Sequence, residues 1–437
     1  MNLMKYLSVF IAIIVIATSN LGIAASLLQS KNITLQGAID SAYQNNEEIK
    51  AQEFSLAASG SLKTKALAGG FLPRVSIDIN RGDRKYKIGT NNTVNGDVDT
   101  RDINVSENLF SGGKNIFDFK RAKSLEEKER FSLISKKQEI ALQVIKSYAD
   151  ILKYNDLLEL GQENIKSYEQ ILYYTKKKMQ ARDLSKADLA RAEADYIAAV
   201  NSQSNINNNI LSAQANFIKL TGLRKDEFGE LVKFSLPKID QRFSNLNQMK
   251  IEDAALQNNP DLKAVERNHN AAKLETSMVK STLSPTATFN YQSSEDKKSI
   301  YFNNKSQRND SVFINFHIPI FSGGTEYADI GYARNKESQE KYNVEVTRKK
   351  IIEASILYLN EMNNLNHSYA SAIELENANQ IYFDSTRREE RLGTKSVLDL
   401  LISKQQFHQS QIDKVNYYYD YIIAVFKLEA LIGTLSN

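Results

Sequence analysis

Histidine is the side chain that most often carries acid-base catalysis or binds a metal, and this chain has four. None stands in an H-E-x-x-H or comparable ligand spacing; they are His269, His317, His367 and His408. Gly112-Gly113-Lys114 resembles the end of a phosphate-binding loop, but Asn108 and Asn115 stand where the first glycine and the magnesium-binding hydroxyl are needed. The sequence therefore predicts no enzyme activity, no metal site and no cofactor.

Charged residues are plentiful, but on the long helical segments acids alternate with lysines, which is typical of a solvated face. The net charge of +4 over 437 residues is too small to indicate a polyanionic partner, so nucleic-acid binding is not predicted. The chain has no cysteine, which excludes disulfides and the thiol of an N-terminal lipid anchor. Stability must come from packing.

The first residues predict export from the cytoplasm. Lys5 precedes an apolar run from Leu7 to Ala17, and small residues follow up to Ser26. This pattern is typical of a cleavable secretory signal over residues 1–25, because the run is about half of the ~20 residues that a membrane-spanning helix needs. An uncleaved anchor is the alternative. No later segment is a continuous apolar span, so entry into a membrane would require a closed β-barrel.

A tandem repeat organises the rest of the chain. Residues 42–51 match residues 255–264 at an offset of 213, and Phe-Ser-Gly-Gly at 110–113 matches 321–324 at an offset of 211. Asp188 and Asp399 hold the same offset of 211, and so do the Leu-x-Gly sequences that end at Gly222 and Gly433. We predict a first repeat over 26–222, a linker over 223–246 and a second repeat over 247–437.

Each repeat is predicted to form a helix, two strands and two further helices. The first helix is predicted over 35–67 and 249–280, and the returning helix over 186–220 and 396–431. Between them, 114–182 and 326–391 have no proline and keep an apolar stripe at steps of three and four residues. Such helices would be roughly 100 Å long at 1.5 Å per residue, which indicates a coiled-coil wall.

The four predicted strands alternate apolar and polar residues. In the first strand, polar residues separate Val75, Ile77 and Ile79. The same alternation of apolar and polar residues occurs around Ile103 and Val105, within residues 287–291 and within residues 312–320. The pattern fits strands with an apolar side toward lipid and a polar side toward a wet lumen, but an ordinary half-buried sheet has the same period. Long polar loops are predicted between paired strands, at 82–98 and 295–309.

Four strands are too few to close a barrel, and an open sheet edge is not tolerated in lipid. A membrane protein with these strands would have to associate with further copies. A dimer would give eight strands, whose interior is filled by side chains, whereas a trimer would give twelve. Only the larger closure leaves a passage.

Taken in this order and at these distances, the motifs resemble the TolC-like outer-membrane efflux proteins over essentially the whole mature chain. They are the duplicated Ala-x-x-Asn-Asn, the Pro73 and Pro285 strand entries, both Phe-Ser-Gly-Gly turns, Arg391-Leu392-Gly393-Thr394 followed by Asp399, and both Leu-x-Gly ends. The resemblance implies an α+β membrane protein: a homotrimer whose twelve-stranded β-barrel continues into a periplasmic α-helical barrel. It also implies, as partners, a periplasmic adaptor (membrane fusion) protein, an inner-membrane pump or ABC exporter, and outer-membrane lipid.

The resemblance implies three kinds of site. Adaptor docking is expected at the tips where each long helix turns into its returning helix, which comprise Leu184, Ser185, Lys186, Arg391, Leu392, Gly393, Thr394 and Ser396. The alternative is a purely structural turn, in which Gly393 only ends a helix. The barrel lumen would be lined by Asp78, Asn80, Asn104, Asn290 and Asn315. A periplasmic gate is expected at Asp399, where three copies would attract cations and raise one another's pKa; a helix cap, or pairing with Lys395 or Lys404, is the alternative.

In the family, a second acid stands three residues after the first, but here Ile402 occupies that position. Weaker cation affinity than in a two-ring member is therefore expected. The repeat-related Asp188 helps to latch the closed state in the family through a tyrosine, where this chain has Glu390. We expect a latch, if one forms, to use Arg388, Arg391 or Lys395 instead. Two other functions remain open. The stronger alternative is a periplasmic or surface coiled-coil scaffold protein, and the weaker is an adaptor protein.

Overall fold

The structure, a computed structural model, describes residues 32–88, 92–223, 231–234, 247–299 and 305–435. The predicted signal segment and most of the predicted linker lie outside these residues. The described chain divides into two compact units. One comprises 32–45, 144–223, 231–234 and 382–415, and the other comprises 46–88, 92–143, 247–299, 305–381 and 416–435. Each unit contains segments of both repeats.

Both repeats have the same order of elements: two consecutive helices, a β-hairpin, a long helix and a returning helix. The first repeat contains α1 (Leu35–Asn45), α2 (Glu47–Phe71), β1 (Arg74–Ile88), β2 (Asn92–Phe110), α3 (Lys114–Gln180) and α4 (Lys186–Thr221). The second contains α5 (Gln248–Asn258), α6 (Pro260–Lys280), β3 (Thr286–Ser299), β4 (Lys305–His317), α7 (Thr325–Arg391) and α8 (Val397–Leu431). The predicted tandem architecture is confirmed.

The first helix of each repeat was predicted as one element, and this was wrong. Asn46 and Asn259 leave the helical conformation, and each side chain caps the helix that follows. The Asn46 side chain accepts hydrogen bonds from the N–H groups of Glu48 and Ile49, and Pro260 begins α6 at its first position. These are strong helix-start signals, and they interrupt the apolar periodicity that runs through them.

The two long helices each have 67 residues, in agreement with the prediction. They end where the backbone takes a positive φ, at Arg182 (65°) and at Gly393 (79°). Glycine adopts this conformation without the steric cost that a Cβ introduces, so Gly393 suits the turn better than Arg182 does. The returning helices α4 and α8 run within a residue of their predicted ranges.

The four strands form one antiparallel sheet in the order β1-β2-β3-β4. The predicted long loops at 82–98 and 295–309 were wrong, because pairing continues through Gly82↔Val98 to Ile88↔Asn92 and, after an irregularity, to Ser299↔Lys305. Main-chain hydrogen bonds sustain the hairpin arms there even though the side chains are polar. Strand β4 ends at His317, so Ile318 and Ile320 do not belong to it; Pro319 has no N–H for a ladder.

The sheet has one apolar and one polar face over its helix-side half. The apolar face, which is largely exposed in the single chain, carries Val75, Ile77, Ile79, Ile103, Val312, Ile314 and Phe316. By the register of the strands, the polar face carries Ser76, Asp78, Asn80, Asn104, Thr288, Asn290 and Asn315. Among the described residues, no helix is both long and apolar enough to span a membrane.

Tyr148 organises the core of the first unit. Its ring is fully buried against Phe217 and Phe234, and its hydroxyl lies 3.0 Å from the carbonyl oxygen of Ile33 and 2.8 Å from that of Val232. These two carbonyls flank the parallel bridge between Ile33 and Leu231. Burial raises the pKa of Tyr148 to about 12, so its hydroxyl stays a donor at physiological pH.

Candidate functional site

The two hairpin tips are the exposed turns that join each long helix to its returning helix, α3 to α4 and α7 to α8, at equivalent positions of the repeats. All the predicted docking residues are exposed except Leu184, which is half-buried and packs against a hydrophobic cluster beneath the tips. This tip cluster comprises Tyr168, Ile171, Ala192, Ala199, Phe383, Val397, Leu400 and Leu401. The tips therefore present polar side chains and the 78% exposed Leu392 to solvent above a packed base.

Asp188 and Asp399 have the same local geometry. The Asp188 carboxylate accepts hydrogen bonds from the Ser185 hydroxyl (2.6 Å) and N–H (3.0 Å), and the Ser185 hydroxyl in turn accepts from the Asp188 N–H. Asp399 repeats this arrangement with Ser396 at 2.7, 3.0 and 3.1 Å. Each acid thus closes a capping box at the start of α4 or α8.

These hydrogen bonds favour the ionised form of both aspartates. The Ser185 hydroxyl and N–H lower the pKa of Asp188, and the equivalent Ser396 groups, helped by the charge of Lys395, lower the pKa of Asp399. Within the described chain, Asp188 forms no ion pair with Arg388, Arg391 or Lys395, and Arg388 donates to the Asp384 carbonyl oxygen instead. The gate and the latch between copies stay predictions.

An ion pair that sequence reasoning missed joins the ends of α3 and α7. Lys178 Nζ lies 2.6 Å from Glu390 Oε1, and the Glu390 side chain is only 11% exposed. By the family resemblance, Glu390 occupies the position of the tyrosine that latches the closed state in relatives. The two residues are 212 positions apart, and no local pattern links them; only the near-equality of this separation to the repeat offset indicates that they belong to equivalent helix ends.

A second missed feature is a buried lysine beside the tip cluster. Lys404 is 5% exposed, and its Nζ lies 5.4 Å from the ring centroid of Phe383 and 5.5 Å from that of Phe407. Burial lowers the pKa of Lys404 to about 8, although the charge of Glu163 opposes the shift. Burial, together with Lys404, lowers the pKa of the neighbouring His408 to about 4.

The five predicted lumen residues all lie on the polar face of the sheet. Asn104 donates to the Asp78 carboxylate at 3.1 Å, and Asn80 donates to the Thr100 hydroxyl at 3.3 Å. The polar face is thus linked across β1 and β2 by side-chain hydrogen bonds. In the described part of the chain, no group of three or more His, Asp or Glu side chains is arranged to hold a metal ion.

The profile of the family described as "Outer membrane efflux protein" matches residues 38–223 and 252–434, which is most of the chain. The chain belongs to the outer membrane efflux protein family. The two matched segments fall on the two repeats, and the TolC-like resemblance is confirmed.

Known proteins agree with this assignment. This chain is 21% identical to the outer membrane efflux protein BepC of Brucella suis, over 92% of this chain and 86% of that one. It is 25% identical to the alkaline protease secretion protein AprF of Pseudomonas aeruginosa, over 84% and 77% of the two chains. The solved outer-membrane channel OprN has the same fold, with a TM-score of 0.81 at 15% identity over 92% of this chain and 90% of that one.

These findings establish the compartment and the general activity. The efflux protein is an export channel of the outer membrane, and the scaffold alternative is not favoured. The apolar face of its sheet is exposed in the single chain, as expected of the band that membrane strands present to hydrocarbon.

Proposed function

We propose that three copies of this chain close their sheets into one twelve-stranded barrel, forming an exit duct that works with a periplasmic adaptor and an inner-membrane transporter. The observation that carries the proposal is the open edges of the sheet. Strands β1 and β4 are both edge strands of a sheet with an exposed apolar face. In lipid, an unpaired main-chain edge costs several kcal/mol per polar group, so β4 of one copy must pair with β1 of the next.

The repeat supplies the register of that pairing. The hairpins are superimposable in register, because Ser76↔Asn104 in the first corresponds to Thr288↔Asn315 in the second at offsets of 212 and 211. Between the hairpins, Asn104 pairs with Gln292. Shifting β2 to β4 and β3 to β1 by the same offsets places Asn315 opposite Asn80 of the next copy.

The turns support the same closure. A Cβ on Gly112 would lie 2.9 Å from the Ser281 carbonyl oxygen, because β2 enters α3 beside the start of β3. The repeat-related Gly323 meets nothing within 4 Å in the single chain. Closure would give Gly323 the neighbour that Gly112 already has.

Cysteine cross-linking tests this register, and the chain has no native cysteine to interfere. Directly opposed strand residues have Cβ atoms close enough for a disulfide. The Asn80→Cys/Asn315→Cys variant is expected to form covalent trimers in membranes under mild oxidation, whereas Asn315→Cys with Ser76→Cys is not. Asn104→Cys/Gln292→Cys is the matched control, since it should cross-link within one chain. Covalent dimers as the end product, or equal cross-linking of the mismatched pair, would contradict the proposal.

The remaining site assignments are proposed for the closed trimer. The exposed tips of each copy would face the adaptor, and the three Asp399 side chains would come near one another at the periplasmic end. With Ile402 in place of a second acid, we expect one ring of three carboxylates and modest cation affinity. Relatives named for efflux and for protease secretion support both small molecules and proteins as cargo classes.

A further inference from the structure

A cavity of about 720 Å³ lies where the sheet meets the helices of the first repeat. It is lined by one side of α2, by one side of the first turns of α3, and by the last row of the sheet. The sheet residues in this row include Arg74, Thr286 and Thr288. By the strand register they belong to the polar face, because Arg74 pairs with Ser106 and Thr288 pairs with Asn315. The cavity therefore opens on the polar side of the sheet.

The charge in this cavity is unbalanced. Lys65, Arg74 and Lys114 line it, and within the described residues none of the three forms an ion pair. The acids that line it already have partners. Asp118 binds Arg121 at 2.9 Å, and Glu129 binds Lys128 at 2.7 Å.

Glu129 is engaged further, since Gln52 donates to its carboxylate at 2.8 Å, and these bonds lower the pKa of Glu129 despite its burial. The N-terminus of α3 adds the partial positive charge of its helix dipole at the same place.

The fold does not require these cations. The second repeat has the same helix–strand junction without these cations. Thr286 and Thr325 stand at the positions of Arg74 and Lys114, and Met278 stands at that of Lys65 if the offset of 213 between Asn46 and Asn259 is kept. The junction itself is held by other contacts, since Asn115 Nδ2 donates to the Gly70 carbonyl oxygen at 2.7 Å. The three cations are thus particular to the first repeat.

We propose that this recess binds multivalent anions, bearing phosphate or carboxylate groups, as they pass through the channel. The inference rests on the proposed function, which turns the polar face toward the lumen. In the trimer it would place nine cations at the junction of the sheet and the helices, on the solute path. Lysine and arginine in a pore lining favour anions, as carboxylate rings favour cations.

Current block in planar lipid bilayers tests the inference, with inorganic pyrophosphate as the probe. Pyrophosphate is expected to reduce the wild-type KCl current, and the Lys65→Gln/Arg74→Gln/Lys114→Gln variant should need about tenfold more for the same block. In a KCl gradient, the reversal potential of the triple variant should also shift toward cation selectivity relative to the wild type. The matched control is Lys341→Gln/Lys349→Gln/Lys350→Gln, which removes the same charge from exposed positions of α7 outside the cavity.

Three outcomes would overturn the inference. Pyrophosphate that does not block the wild type, or that blocks the triple variant and the wild type equally, excludes the site while leaving the channel intact. The Lys65→Gln and Lys114→Gln single variants provide the same comparison if the triple variant does not assemble. A wild-type trimer that conducts no ions would overturn both this inference and the proposed function.

Discussion

Glu390 and Lys178 show at the scale of single residues how the hairpin tips are held. A carboxylate with an 11% exposed side chain needs a partner, and it stands at the C-terminal end of α7, where the helix dipole disfavours negative charge. Lys178 supplies the compensating charge from the end of α3. The pair therefore ties together the last turns of the two long helices.

We predict that removing this ion pair loosens the tips. Lys178→Gln leaves Glu390 buried without a counter-charge, at a cost of about 1 to 2 kcal/mol after allowance for the exposure of the lysine. Single-channel conductance should rise, and the Lys178→Glu/Glu390→Lys exchange should restore it in part. Lys177→Gln is the control, because it removes the same charge from the same turn, but Lys177 lies over the Tyr173 ring and does not pair with Glu390. Equal conductance of Lys178→Gln and wild type would show that the pair does not restrain the tips.

Lys404 is predicted to reduce stability near neutral pH. Its pKa in the folded chain is about 8, below the ordinary value of 10.5, so the unfolded chain binds the proton more tightly. The cost is full below pH 8 and disappears as the pH rises through 10.5. Lys404→Met should therefore raise the free energy of unfolding by about 1 to 3 kcal/mol at pH 7, less whatever cation-π energy is lost.

Urea unfolding followed by circular dichroism checks this prediction across pH 7 to 10.5. The gain from Lys404→Met should shrink toward the alkaline end, while the exposed-lysine control Lys166→Met should show no such trend. A loss of stability in Lys404→Met at pH 7 would mean that the lysine's ring contacts outweigh its burial.

Among the helices, the duplicated Asn-Asn and Leu-x-Gly sequences meet in space. Gly222 ends α4 with φ 68° beside Asn45, and Gly433 follows α8 with φ 75° beside Asn258. The Asn45 amide donates to the Thr221 carbonyl oxygen at 3.3 Å, and the Asn259 amide donates to that of Leu431 at 3.1 Å. Motifs that are far apart in sequence thus form one joint in each repeat.

Alanine at these glycines is predicted to be costly. A Cβ at Gly222 would lie 2.8 Å from Asn45 Cβ, and one at Gly433 would lie 2.8 Å from the Asn258 carbonyl oxygen. The free energy of unfolding of Gly222→Ala and of Gly433→Ala should each fall by about 2 to 4 kcal/mol, because the clash adds to the cost of the positive φ. Gly393→Ala has an equally positive φ but nothing within 4 Å, so it should lose about 1 kcal/mol. Equal losses of thermal stability in all three variants would contradict this account.

What sequence could predict differs between elements. The long helices and the repeat were predictable, because periodicity and constant offsets persist over many residues. The helix break was missed although Asn46, Glu47 and Glu48 carry the start signal, since the apolar spacing continues across it. The hairpin arms beyond Gly82 were missed because main-chain pairing leaves no apolar alternation to detect. The Lys178–Glu390 pair and the buried Lys404 depend on tertiary packing alone.

At the scale of the whole molecule, the single chain is chemically incomplete. Its sheet has two open edges and an exposed apolar face, yet the protein lies in the outer membrane. Within the chain, β2 of the first repeat pairs with β3 of the second. Edge strands β4 and β1 of neighbouring copies could pair in the same way, because they are the repeat equivalents of β2 and β3. We therefore expect the copies of the chain to join edge to edge into a sealed, water-filled passage.

The most direct test is conductance of the purified protein across a planar lipid bilayer, with its mass determined in the same detergent. We predict a heat-modifiable trimer that opens stable, water-filled channels at the level of single insertions. A monomer in mild detergent that conducts no ions would contradict this prediction.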